Sequence, residues 1–148
     1  MAVTSTPIFV QTPFVQSLSL AAQTACTTRA PTATASLSGA NIIQFVNTST
    51  NGLRIDSIKV QACSTSISAA TAANLVQIWV WDGTNAYLND EIAVTAVTPS
   101  ATAAAFTTLY VYAQPLVLPS TYKLYASVTV TTTASTTALL VTAYGGQY

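Results

Sequence analysis

Apolar residues recur at every second position in short runs along this chain, and each run stops at a turn signal. "SLSLAAQTACTT" places Leu18, Leu20, Ala22, Thr24 and Cys26 on one side. That period belongs to a strand with one buried face. "NIIQFVN" follows as a further strand and ends at "TSTNG", where Asn51-Gly52 marks a tight turn. "LRIDSIKVQAC" alternates too, but its phase slips: Leu53 and Ile55 are odd, whereas Ile58, Val60 and Ala62 are even. A β-bulge near Asp56-Ser57 restores a common face.

The remaining segments read in the same way. "LVQIWVWD" is apolar on both faces, as in a central strand, and "DGTN" turns it back into "DEIAVTAV". "AFTTLYVYA", "PLVLPSTYKLYASVTV" and "ALLVTAY" supply later strands. The Ser/Thr/Ala tract 64–73 reads as a short helix or a loop, and no segment carries a sustained helical period. About eight strands with frequent turns predict an all-β chain: a single antiparallel β-sandwich of Greek-key or jelly-roll type. The two Thr-Pro pairs around "IFVQ" favour an extended arm over residues 1–16, with the sandwich over 17–148.

Charge narrows the function. Of 148 residues only 5% are charged, four basic against four acidic, and there is no histidine. A phosphate backbone or an anionic membrane would find no basic face, so nucleic-acid and membrane partners are not expected. Without imidazole there is no Ser-His-Asp or Cys-His catalysis, and two cysteines without a CxxC motif make no structural zinc site. No glycine-rich phosphate loop is present, so no cofactor is expected. The N-terminus has no basic residue or long apolar core, and it does not read as a secretory signal. Cys26 and Cys63 form a disulfide or remain buried thiols; a cytosolic product favours thiols.

One catalytic idea survives, a glycosidase using two of Asp56, Asp82, Asp90 and Glu91. Brief loops leave little chain for a cleft, and turn or strand-end roles explain these acids better, so no enzyme is expected. Asp82 reads as a turn residue beside Gly83. Trp79 and Trp81 share a face and serve either the core or an exposed ledge. With Tyr87, Tyr110, Tyr112, Tyr122 and Tyr125, they make a sugar-binding module the rival to a sandwich core filled by aromatics. Thr and Ala make about a third of the chain, and a surface so poor in charge suits a protein covered by identical neighbours or a larger assembly.

The segments "TPIFVQTP", "WVWDGTNAYL", "TAVTPSATAAAF" and "PLVLPSTYKLYASVTV…LLVTAYGGQY" resemble a group of small proteins encoded among the structural genes of tailed bacteriophages. Thr121 stands where that group commonly has glycine, and Gln147 where it commonly has an acid. The resemblance covers most of the chain and implies a virion structural protein of the head decoration, or cement, type. Such a protein sits on the capsid exterior after synthesis in the host cytoplasm. Its partners are the major capsid protein and itself, as a homo-oligomer with a trimer favoured. On that reading Ile8, Phe9, Val10 and Phe14 are the apolar anchors of the capsid contact, by strand addition of the arm. The alternative for the arm is the first edge strand of the sandwich. The alternative for the protein is a neck, tail or fibre component that touches a glycan.

Overall fold

The computed structural model describes residues 12–33, 42–45 and 51–148. Eight strands form in chain order: β1 (Thr12–Leu20), β2 (Ile42–Gln44), β3 (Leu53–Ala62), β4 (Asn74–Trp81), β5 (Ala86–Val94), β6 (Thr107–Leu118), β7 (Lys123–Val128) and β8 (Leu139–Gln147). They make two antiparallel four-stranded sheets, ordered β1-β8-β3-β6 and β2-β7-β4-β5. Strands 1 and 8, 2 and 7, 3 and 6, and 4 and 5 are all paired. The chain is therefore one long hairpin wrapped over a core, which is the jelly-roll order. Its fold point is the turn after Trp81, and every connection except β4–β5 passes from one sheet to the other.

The alternation puts one face of each sheet into a common core. Phe14, Leu18, Leu20, Leu53, Ile55, Ile58, Val60, Val76, Ile78, Val141 and Ala143 are buried there. Each large aliphatic chain contributes roughly 1.5–3 kcal/mol by leaving water. The bulge lies where the phase slip in the sequence places it: Ile55 pairs with Gly145 and Ser57 with Tyr144, leaving Asp56 as the extra residue. On the other side of β3 the excess is larger. Ile55 meets Leu116 and Ser57 meets Val111, so residues 112–115 of β6 loop out opposite Asp56. Pro115 is accommodated because β6 is an edge strand.

Other boundaries differ from the sequence reading. β1 starts at Thr12 and stops at Leu20, before Ala22 takes a φ of 81°. Residues 12–16 are therefore part of the sandwich edge, and residues 1–11 lie outside the described residues. The 64–73 tract contains no helix; Thr71 bridges to Val97 instead. "AFTTLYVYA" and "PLVL" merge into the single strand β6. Cys26 and Cys63 are both free thiols, the first buried and the second half-buried, and burial pushes the Cys63 thiol up.

Candidate interaction surface

The four carboxylates stand in four separate settings. Asp82 closes the β4–β5 turn: its Oδ1 accepts the Thr84 and Asn85 N–H groups at 2.8 and 2.9 Å. Those bonds, Asn85's first, hold its carboxyl below the usual range. Asp56, on the other sheet, accepts from Arg54 Nε at 2.7 Å. Asp90 accepts the Tyr110 hydroxyl at 2.8 Å, tying the edges β5 and β6 together. A second bulge, with Asn89 as the extra residue between Leu88 and Asp90, sets this orientation. Glu91 faces the opposite side of β5, where Arg29 Nε donates to both its oxygens at 2.8 and 3.0 Å. The guanidinium, more than burial or Gln77, sets the direction of its shift, which is downward.

Glu91 ends a buried polar chain on the outer face of the β2-β7-β4-β5 sheet. Gln77 Nε2 donates to Glu91 Oε1 at 3.1 Å and to the Thr28 carbonyl at 3.3 Å. Ser127 Oγ donates to Gln77 Oε1 at 3.0 Å, and Trp79 Nε1 donates to Ser127 Oγ at 2.9 Å. Trp79 is fully buried in a second small core with Cys26, Ile42 and Ala86; Trp81, Leu88 and Tyr125 pack against it. The two tryptophans do share a face, and that face is covered by the chain's own residues 21–33. Cys26 N–H donates to Val128 O at 2.7 Å, and Thr32 bridges to Ala86. Trp81 carries the Lys123 ammonium 4.8 Å from its ring centroid. Tyr110 and Tyr112 stack edge-to-face at 5.1 Å. Of the aromatics weighed as a sugar ledge, only Tyr87 is largely exposed, at 42%. Among the described residues, no three Cys, Asp or Glu side chains cluster.

The outer face of the other sheet is different, because no described segment crosses it. Its strand pairings align side chains in rows. One row runs Val15, Tyr144, Ser57, Val111; the next runs Ser17, Thr142, Lys59, Leu109. Val15, on the edge strand β1, and Val111, on the opposite edge strand β6, are each 63% exposed, and Leu109 of β6 is 57% exposed. Two of the polar groups there satisfy each other: Ser17 Oγ and Thr142 Oγ1 share a hydrogen bond of 2.7 Å. A shallow depression of about 460 Å³ lies between Ser57, Lys59, Leu109 and Tyr144. This face, with aliphatic edges and no described cover, is the candidate surface.

Of the residues singled out from sequence as contact anchors, Ile8, Phe9 and Val10 lie outside the described residues. Phe14 is 6% exposed and packs inside the common core, so its side chain serves the sandwich. Sequence reasoning missed Val15, Leu109, Val111 and Tyr144. The available signal was "LYVY", apolar at both parities in a strand that turns out to lie at a sheet edge.

No family model and no curated protein matches this chain. Among solved structures, a chain from "Structure of infectious bursal disease virus Gx strain" is similar at 14% identity, with a TM-score of 0.24. The match covers 99% of this chain and 40% of that one, so this chain spans less than half of its length. So loose a likeness has no bearing on function, and the jelly-roll assignment stands on the strand pairings alone.

Proposed function

We propose that this protein is a virion structural protein of a tailed bacteriophage, a head decoration component that performs no reaction. The observation that carries the reading is the contrast between the two outer faces. One sheet is covered by the chain's own residues 21–33, whereas the β1-β8-β3-β6 sheet presents valine, leucine and tyrosine with no described cover. A domain with eight charged residues in 148 has little repulsion to keep such a face in water. A surface of this kind suits a subunit that spends its working life in an assembly. The resemblance of the terminal segments to phage structural proteins supports the same reading. On it, the residues preceding Thr12, Ile8, Phe9 and Val10 among them, reach the major capsid protein on the shell exterior. β1 is an edge strand, so a segment continuing it starts from a position open to strand addition.

The test is the copy number in purified particles. Quantitative band densitometry should find hundreds of copies per head. A handful would instead favour the neck, tail or fibre reading, and absence from particles would end both. A deletion of residues 1–11 should leave a folded domain that no longer attaches to heads lacking the protein. The cut must stop there, because removing residues 12–16 also removes Phe14 from the core, at about 3–5 kcal/mol for an aromatic side chain.

A further inference from the structure

We propose that the β1-β8-β3-β6 face, which no described segment covers, binds a second copy of the same face, related by a two-fold axis parallel to the strands. The inference deepens the assembly reading above and names the partner of that surface.

The row pattern carries it. An axis lying between the two faces, over the boundary of β8 and β3, leaves each row opposite itself and reverses the strand order. β8 then faces the partner's β3, and β1 faces the partner's β6. Tyr144 comes over the partner's Ser57, the floor of the depression that Lys59 and Leu109 flank. Leu109 meets the partner's Ser17, and Val15 meets the partner's Val111. Bulky side chains therefore meet small ones or each other's match, as interdigitating sheet faces require. The charges fit too. Lys59 and Arg54, which heads the next row, both lie on β3, so each faces β8 of the partner, Thr142 and Gly146 respectively, and neither opposes its own copy. Lys59 runs its apolar stem beside Leu109, leaving its ammonium to reach the rim.

The area is sufficient but not generous. Four strands about 4.8 Å apart and four rows of alternating residues give a face of roughly 20 by 25 Å. Two such faces bury on the order of 1,000 Å², near the lower bound for a specific contact. The dimer should thus dissociate on dilution. A two-fold face gives dimers, not the trimer that the sequence resemblance suggests. The two cations of this face, Lys59 and Arg54, the latter bonded to Asp56, are too few to hold a nucleic-acid backbone.

Sedimentation equilibrium of the full chain over a hundredfold concentration range should show a monomer–dimer equilibrium. Leu109→Glu and Tyr144→Glu should each weaken it at least tenfold, with circular dichroism unchanged. Ile67→Glu, at a residue 73% exposed but off this face, should leave it intact. In a Cys63→Ser background, a bis-maleimide spanning about 10 Å, the ordinary separation of packed sheets, should couple a Val15→Cys/Val111→Cys chain into dimers and leave either single variant uncoupled. A chain that stays monomeric or forms trimers overturns the proposal. So does a dimer indifferent to Leu109→Glu, or one coupled through the Val15→Cys variant alone. Particle copy number is measured independently. A monomer present in hundreds of copies would defeat the two-fold contact and spare the virion role; a dimer absent from particles would do the reverse.

Discussion

Gly145 tests the bulge that gives the sandwich its shape. A Cβ built there would lie 1.8 Å from the Arg54 carbonyl oxygen, 2.8 Å from the Arg54 carbonyl carbon and 3.0 Å from Ile55 Cα. All three atoms are backbone, so no rotamer change relieves the contact. Its φ lies outside the left-handed region that favours glycine, and the penalty for Gly145→Ala is steric alone. Restoring an ordinary separation moves β3 and β8 apart by roughly 1.5 Å. Near Arg54 and Gly146 that strains about two ladder hydrogen bonds, worth about 1 kcal/mol each. It also opens a gap beside Phe14 and Ile55, worth roughly another 2 kcal/mol. The sum is about 4 kcal/mol, which for a domain near 150 residues lowers Tm by roughly 8–16 °C. Gly83→Ala provides the opposite control: nothing lies within 4 Å of the added Cβ, but φ is +107°. That conformation costs about 1–2 kcal/mol, a loss of a few degrees. Thermal melts followed by circular dichroism, at one fixed protein concentration, separate the two. Equal melting of Gly145→Ala and the parent would show that the strands do not approach so closely, and the bulge assignment would fall with it.

Three further outcomes follow from the polar contacts. The Tyr112 hydroxyl is buried with no hydrogen-bond partner, and burial, then the nearby Asp90 carboxylate, drives its ionisation well above the usual tyrosine range. Tyr112→Phe should therefore raise stability by up to about 1 kcal/mol at neutral pH. The folded state holds that proton where the unfolded chain releases it, so parental stability falls as pH rises past about 10, and the substitution should flatten that fall. Glu91 has the opposite sign: its ionisation is pulled down, so its stabilisation is present at neutral pH and disappears as pH drops below roughly 4. Glu91→Gln should flatten the acid limb of an equilibrium denaturation series and cost under about 1 kcal/mol at pH 7, since Arg29 is 60% exposed. Gln77→Met removes the centre of the chain from Glu91 to Trp79; it should cost about 2–4 kcal/mol by urea titration, because the Ser127 hydroxyl is left without its acceptor.

Much of the strand pattern was legible because period-two alternation is local. The slip between Ile55 and Ile58 located the bulge, and Asp82-Gly83 located the turn on which the whole hairpin folds, since an Asx turn needs only neighbouring atoms. The aspartate at that turn and the glutamate beyond it answer to different demands, one local and one long-range. The pairing of Glu91 with Arg29 joins residues 62 apart, and no short window of sequence contains it. Likewise, alternation says that Leu109 and Tyr110 face opposite ways, but not which way is inward.

By itself, then, the amino-acid sequence determined an all-β chain, its turns, its bulge and its poverty of charge, because each depends on backbone sterics or composition. Only the tertiary structure decided that residues 21–33 cover one sheet while no described segment covers the other. That choice depends on which strands become neighbours, and in a jelly roll those neighbours come from opposite ends of the chain: Thr12 lies beside Gln147.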